Sequence, residues 1–562
     1  MYAPQDTTHP PAYALCSSDG QNIYTVDEHN SRVQCILVSG PHVIKTGSIE
    51  EVTAWWSQKS SNGDDPQDPA SPLRIHSIPP GSMVVPGLTD SHCHVLEYGA
   101  SRTIPLDQAT TLEGIALIRQ YIESNPDIYD DKSKVIEGWG WDHASWPHET
   151  LPTATDLDTD PILCGRPIIL QSRDGHALWV SPATLRANSP IPDHSDGGII
   201  IRDHEGNPTG IFLDNAQDLI SRPPATDSDL EKRFQLTVAE ALSHGLTSLH
   251  DAGFKPESLA FFQSRVETKG LPIRLYGMRY FDENAPYWGD QTAPLIGDEN
   301  SRLTARSIKL FADGALRTGG AALYEPYTDN PSTNGVMRLA PELLNTIIPN
   351  FLRDGWQVNV HAIGDRANGA VLDAFEQALK NTDVSSLRPR LEHAQIMTQS
   401  DIGRLGKLGV IASIQPTHVT SDMGFAEERL GPERVKGLYA FRSILKSGAR
   451  ITLGSDFPVE QVNPLAGFFS AITRTNSNGT SPHGPGGWFP DQRLTREEAL
   501  RGMTIDPAYA SFTESNLGSL VPGKRADFVI LSQDIMTIPV TKIMDTKVLA
   551  TVIDGEVVYG QI

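Results

Sequence analysis

Two histidines one residue apart close the apolar run Val84-Val85-Pro86-Gly87-Leu88-Thr89-Asp90-Ser91-His92-Cys93-His94. On a β-strand, residues i and i+2 face the same side, so His92 and His94 direct both imidazoles into one pocket. Neutral imidazoles bind divalent metals, and two on one side make half of a metal site. Alone, the pair fits solvated or core-bonded histidines equally well. Four further residues change that weighing. Lys309, His361, His393 and Asp456 each stand at the end of another apolar, strand-like run. Six polar residues on five strand ends are hard to explain as packing.

The elements that position them alternate. Between about Met83 and Pro507 we read eight strands separated by helical stretches: the run ending at His92, then 246–250, 273–278, 306–311, 357–361, 390–393, 410–415 and 451–456. That pattern predicts an α/β fold, a (β/α)8 TIM-like barrel, whose C-terminal strand ends converge on the face where such barrels hold their active sites. Two extra apolar runs, 135–138 and 167–171, place an insertion at about 100–222, after the first barrel strand. Short strands between Tyr13 and about Val52, and again over 527–531, 548–553 and 556–559 with Asp554-Gly555 as a hairpin turn, predict a small β-domain built from both termini. The expected division is 1–82 and 508–562 for that domain and 83–507 for the barrel. The polar stretch between Ser57 and Pro72 reads as a solvated loop.

Composition narrows the partners. The 562-residue chain is 39% hydrophobic and 20% charged, which suits a soluble protein with a sizeable core. Its net charge of -23, with no basic run, disfavours nucleic acid and anionic membrane and leaves a small molecule as the ligand. The four cysteines, Cys16, Cys35, Cys93 and Cys164, include no Cys-x-x-Cys pair, so neither a disulfide framework nor a thiolate zinc ribbon is expected, and a reducing, cytoplasmic location fits. No secretory or membrane-spanning pattern is read, and a homo-oligomer stays open. There is no Gly-x-Ser-x-Gly elbow, His-Glu-x-x-His helix or phosphate-binding glycine loop.

Taken together, His92-Cys93-His94, Ile308-Lys309-Leu310-Phe311-Ala312-Asp313-Gly314, Val360-His361-Ala362-Ile363-Gly364-Asp365, Leu391-Glu392-His393-Ala394-Gln395 and Gly454-Ser455-Asp456-Phe457-Pro458 resemble the amidohydrolase superfamily, and within it the YtcJ-like branch, amidohydrolase family 3. Gly138-Trp139-Gly140-Trp141-Asp142, Arg173-Asp174-Gly175-His176-Ala177 and Pro522-Gly523-Lys524-Arg525-Ala526-Asp527 extend the likeness over nearly the whole chain. The resemblance implies that the β-domain built from both termini is a β-sandwich, and that the chain holds one or two divalent metals, usually zinc. His92 and His94 would hold the more buried one with Asp456, and His361 and His393 the second. Lys309 would bridge them as a carbamate, because an unmodified ammonium offers only donors. The sequence departs from the branch at Arg317-Thr318-Gly319-Gly320, where Gly-Ser-Arg-Thr is usual, at Ser181-Pro182, and at Phe457, which is expected to narrow the pocket.

The implied chemistry is hydrolysis of an amide or related non-peptide C–N bond of a small molecule, an N-substituted formamide being the family's example. Metal-activated hydroxide would attack, and Asp456 would take the proton and return it to the leaving nitrogen. Trp139, Asp142, His176, Gln415 and His418 are candidate substrate contacts, His176 also for an oxyanion. Two rivals remain: a deaminase of a cyclic or amidine substrate, and a catalytically quiet metal-site binding protein. Blander roles are a core-bonded His361, a Lys309 that pairs with Asp313, a helix-capping Asp456, and a Glu392 that supports its neighbours from behind.

Overall fold

In the computed structural model, residues 12–61, 73–107, 109–143, 146, 151–283, 285–298 and 300–562 are described. Eight strands form one parallel sheet in sequential order: β1 (Leu88–Cys93), β2 (Leu246–Phe254), β3 (Arg274–Tyr280), β4 (Leu303–Phe311), β5 (Gln357–Ala362), β6 (Arg390–His393), β7 (Ile411–Ile414) and β8 (Ile451–Leu453). These are the eight strands read from the sequence. The sheet curls until its last strand meets its first. The Asp456 amide donates to the His92 carbonyl at 2.7 Å. Gly454 permits this approach, since a Cβ there would lie 2.5 Å from the His92 nitrogen.

The helices between strands have ordinary local causes. Pro341–Arg353 opens with proline in its first turn and buries Leu344, Ile347, Ile348 and Phe351, a spacing of three and four that puts them on one face. Asp227–Ser243 is fixed at its start by Thr226 and Asp229, which exchange side-chain and backbone hydrogen bonds. Gln399–Leu408 stops at Gly409, whose φ of 67° is the left-handed conformation that ends helices.

Both chain ends build the β-sandwich. One sheet is formed by Tyr13–Ser17, Cys35–Ser39, His42–Gly47 and Arg74–Ile78; the other joins Ile23–Tyr24, Arg32–Val33 and Met83–Pro86 to Phe528–Leu531, Val548–Ile553 and Glu556–Gly560. Leu15, Ile36 and Val38 of the first meet Val84, Phe528 and Val552 of the second in a shared core. Asp554 and Gly555 both have positive φ, 56° and 78°, as a tight hairpin turn needs. The insertion is a third body, a five-stranded sheet from Ile136–Trp141 to Pro208–Asp214 with its own core around Trp141, Trp179, Ile168 and Ile211.

Three expectations are corrected. The apolar run ending at His92 is two strands, because Met83–Pro86 pairs with Phe528–Leu531 in the sandwich and the chain enters β1 only after Gly87. The boundary expected after residue 82 therefore falls one strand early. Ile49–Ser61 is a helix, where short strands and the start of a loop were expected; residues 62–72 of that loop lie outside the described residues. Cys16 and Cys35 form a disulfide, because they face each other across the antiparallel pair Tyr13–Ser17 and Cys35–Ser39. Their spacing carries no motif, and only strand register brings them together. Among the described residues no helix is long and apolar enough to cross a membrane.

An ionic clamp joins sandwich and barrel beneath the strand starts. Arg274 donates to both oxygens of Asp527 at 2.7 and 2.9 Å and to Asp554 at 2.5 Å, while Arg302 and Arg525 also reach Asp554, at 2.8 and 2.6 Å. Burial alone would raise the Asp554 carboxyl, but Arg274 and Arg302 outweigh it and hold the group well below the usual carboxylate range.

Candidate active site

At the opposite end the strands release His92, Lys309, His361, His393 and Asp456 into one buried cluster, and His94 follows directly after β1. Two of these residues leave their strands in a conformation that non-glycine residues rarely adopt: φ is 72° at His393 and 61° at Asp456. Such a residue costs on the order of 1–3 kcal/mol and persists only where its surroundings over-determine it. For Asp456 the surroundings are visible. The buried Asp90 carboxylate accepts from the Ser455 amide and hydroxyl, and the Ser455 hydroxyl in turn accepts from the Phe457 amide.

His92 is oriented from behind. Its Nδ1 lies 2.5 Å from Glu392 Oε2, and because a carboxylate only accepts, Nδ1 carries the proton and Nε2 carries the lone pair. Glu392 is paired with Arg390 at 2.7 Å, and Arg390 is held by the Ser91 carbonyl and the Ser413 hydroxyl. The chain ends at His250, whose Nδ1 is 3.2 Å from Arg390. All of this is buried.

With Nε2 fixed as an acceptor, His92 faces another acceptor. Asp456 Oδ1 is 3.4 Å from His92 Nε2 and 3.1 Å from His94 Nε2. The His393 ring packs 4.7 Å from that of His92 and 4.4 Å from that of His361. Among the described residues His361 Nε2, His393 Nδ1 and Asp456 Oδ1 are buried and make no hydrogen bond. Buried polar atoms without partners are costly, and convergent lone pairs more so. His92, His393 and Asp456 each offer one ligand atom, all within 4.8 Å of one another, so they form a group able to hold a metal ion.

Charge states fit the same chemistry. Burial, and next the neighbouring Lys309 and imidazoles, push His92, His361 and His393 far below the ordinary histidine value, so each is neutral and offers a lone pair at pH 7. Burial also depresses His94, but the Asp456 carboxylate 3.1 Å from its Nε2 outweighs it and holds that ring above its usual value. Burial alone would raise Asp456, yet His92 and His94 hold it well below the carboxylate range. Lys309, fully buried with Nζ 3.4 Å from His92 Nε2, is pushed down to about 8 by burial in spite of the nearby Glu392 and Asp456 carboxylates. Lys309 does not pair with Asp313. That carboxylate instead accepts from the Ala322, Ile363 and Gly364 amides at 2.9, 3.0 and 2.8 Å, fixing the loop beyond His361.

Above the cluster opens a pocket of about 470 Å³. Of the five candidate substrate contacts, His176 and His418 line it. His176, brought by the insertion, has Nδ1 2.7 Å from Asp214, and its ring packs 5.4 Å from His361. The Asp214 carboxylate is wedged against Gly314 and Gly320, where a Cβ would lie 2.6 and 2.7 Å from it, so the insertion is keyed to the barrel loop at this point. His418 has Nε2 3.8 Å from Asp456 Oδ2 and its ring stacked 6.0 Å from that of His393.

The other three do not line the pocket wall. The Trp139 ring lies against Gly175, and Gln415 donates to the Ser413 carbonyl. Asp142 holds Arg317 at 3.1 Å, and Arg317 also donates to the Ser421 carbonyl and Asp422. Phe457 does not narrow the pocket; it is buried against Tyr98, with ring centroids 5.0 Å apart. The pocket wall instead carries Arg173, ion-paired to Glu460 at 3.0 Å, together with Arg317, Asp422 and Gln395. Of these, Arg317 was marked in the sequence by its displacement from the usual position. Asp214, Glu460 and Asp422 carried no local signal, because the topology of the insertion and the loop after β8 decides where they arrive.

A model of the amidohydrolase family matches residues 80–559, which takes in the barrel, the insertion and the C-terminal strands. The chain belongs to the amidohydrolase family. Within the family it falls in the YtcJ-like branch: it is 31% identical to YtcJ of Bacillus subtilis (strain 168), over 96% of this chain and 98% of that one. It is 27% identical to an N-substituted formamide deformylase of Arthrobacter pascens, over 96% of this chain and 97% of the relative. Among solved structures it resembles an uncharacterized metal-dependent hydrolase from Pyrococcus horikoshii, with a TM-score of 0.72 at 25% identity, covering 94% of this chain and 99% of that chain.

Proposed function

We propose that this chain is a metal-dependent hydrolase that cleaves an amide or related non-peptide C–N bond of a small molecule, with an N-substituted formamide as the first substrate class to try. The observation that carries the reading is the pair of facing acceptors, His92 Nε2 and Asp456 Oδ1, 3.4 Å apart beside the orphaned nitrogens of His361 and His393. A divalent cation relieves that arrangement, and imidazole with carboxylate suits zinc. His92, His94 and Asp456 would hold one ion, His361 and His393 a second, and Lys309, whose depressed ammonium is partly neutral near pH 8, would bridge them once carbamylated. When bound, the metal supplies an acidified water and a Lewis acid for a carbonyl oxygen.

The residues of the chain supply the rest. Asp456, ionised and anchored through Ser455 and Asp90, takes a proton on Oδ2 during attack and returns it to the leaving nitrogen. His176 faces the pocket with its Nδ1 committed to Asp214; burial depresses the ring, but the hydrogen bond and charge of Asp214 hold it above its usual value, and in the protonated form Nε2 donates to the oxygen where negative charge develops. The small pocket between Arg173 and Arg317 limits the substrate to a compact molecule. The formamide choice leans on the named Arthrobacter relative.

The test is turnover of zinc-loaded protein on formamides, simple amides and lactams, with products identified. Release of a carboxylate and an amine supports the proposal. Release of ammonia from a ring or amidine substrate moves the function to deamination, and a metal-loaded protein with no turnover across all classes contradicts it.

A further inference from the structure

A second cavity, about 1110 Å³ including its open mouth, is not at the catalytic end. It lies at the opposite end of the barrel, enclosed by the starts of β1 to β4, the turn around Gly297 and the segment from Ala508 to Gly518. Four guanidiniums line it: Arg274, Arg302, Arg306 and Arg525. Three of them are occupied by the ionic clamp with Asp527 and Asp554. Arg306 is different. Among the described residues it has no hydrogen bond and no ion pair, and its Nε is buried without a partner.

The same neighbourhood shows how such a cation is otherwise satisfied. Phe512 meets two guanidiniums, Arg306 at 3.7 Å and Arg388 at 4.4 Å from the ring centroid. Arg388 also has a carboxylate, Glu514, on two nitrogens at 2.8 and 2.7 Å. Arg306 has the ring and no carboxylate. Phe512 itself holds a φ of 63°, a strained conformation for an aromatic residue, and lines the cavity. Thr304, Leu275 and Leu517 also line it, as do Asp298 and the clamped Asp527, while the Thr247 and Thr513 hydroxyls donate to the Leu88 and Ala508 carbonyls. His250 lies there too, so the cavity sits at the far end of the buried chain through Arg390 and Glu392 that orients His92.

We propose that this cavity is a second ligand site, for a small organic monoanion with a carboxylate that Arg306 binds through two nitrogens and an apolar body that packs on Phe512 and Leu275. A guanidinium with free donors and one stacked face is the arrangement that binds a planar carboxylate most strongly. The Thr304 hydroxyl is a further donor on the wall, and the volume exceeds what a bare inorganic anion would fill. The proposal is independent of the reaction at the other end.

The test uses full-length, zinc-loaded protein and 4-iodobenzoate as probe. In a crystal soaked with it, the iodine's anomalous signal should appear in the barrel-bottom cavity with the carboxylate against Arg306. In solution, calorimetry should give saturable uptake at least tenfold tighter than for acetate or inorganic phosphate, and Arg306→Gln should weaken it at least tenfold. Thr304→Trp, which fills the cavity from the wall while keeping the Arg306 guanidinium, should abolish uptake even if Arg306→Gln proves unstable. Asp456→Asn should leave uptake unchanged. Iodine found only in the catalytic pocket, or uptake indifferent to both cavity variants, overturns the proposal. Equal binding of phosphate and iodobenzoate would also count against it, since the apolar half of the site would then be idle.

Discussion

The two ends of the barrel each hold a cluster of polar groups and treat them in opposite ways. Beneath the strand starts, Arg274, Arg302 and Arg525 are matched by Asp527 and Asp554 at 2.5 to 2.9 Å, and each of the carboxylates meets guanidinium nitrogens. Above the strand ends, His361 Nε2, His393 Nδ1 and Asp456 Oδ1 converge with no hydrogen bond among the described residues, and His92 Nε2 turns its lone pair on a carboxylate. A satisfied cluster holds a fold together, while an unsatisfied one is held together by the fold. The second kind marks where a ligand belongs, and Arg306 is, among the described residues, an exception to the bottom end's own rule.

If that contrast is right, the largest effect belongs to Asp456. Asp456→Asn should lower kcat by about 10²–10⁴-fold on whichever substrate is found, the range for loss of a general acid–base group, while the unfolding midpoint stays close to the parent's. A variant with parental kcat would remove Asp456 from the chemistry. Glu392→Gln should come next. It keeps the shape but weakens the bond that fixes the His92 tautomer, so metal affinity should fall by about 10–100-fold in a chelator competition.

The bottom end should respond in stability alone. Asp527→Ala removes two of the three carboxylate bonds of buried Arg274, leaving only that to Asp554, and should cost about 3 kcal/mol in denaturant unfolding, with activity per folded molecule unchanged. Acid should find the same place. The Asp554 carboxyl is depressed in the folded state, so its contribution is complete above its unfolded value near 3.9 and is lost as pH falls toward the folded one. The parent should therefore lose stability below about pH 4 more steeply than Asp554→Asn. An equal acid slope would show that the clamp is not what the two chains differ in.

The smallest effect is one of rate. Lys309 must be neutral to add to carbon dioxide, and its ammonium titrates at about 8, depressed from 10.5. Loading of metal-free protein with zinc and bicarbonate should thus slow by about tenfold per pH unit below 8 and level off above it. A loading rate flat from pH 6 to 9 would leave Lys309 outside the carbamate chemistry.

Sequence reading reached the barrel because each of its strands is a local event: a short apolar run ending in a polar residue, eight times over. The candidate site was legible for the same reason, as His92, Lys309, His361, His393 and Asp456 all sit at strand ends. What failed depended on contacts between distant segments. Pro86-Gly87 hands one apolar run from the sandwich to the barrel, and only the partner strand Phe528–Leu531 reveals it. Cys16 and Cys35 meet through register, not spacing. The substrate contacts were the least legible: Trp139, Asp142 and Gln415 have the right chemistry but are used by Gly175, Arg317 and Ser413, whereas Asp214, Glu460 and Asp422 reach the pocket region by the path of the insertion and of loops.

The central claim is that the orphaned cluster is a metal centre, and elemental analysis of protein purified without chelator tests it most directly, with intact mass read on the same sample. The account predicts about two divalent ions per chain, the added mass of one carbon dioxide on the parent, and loss of both metal and added mass in Lys309→Ala. Protein that stays metal-free after zinc and bicarbonate are supplied would contradict it.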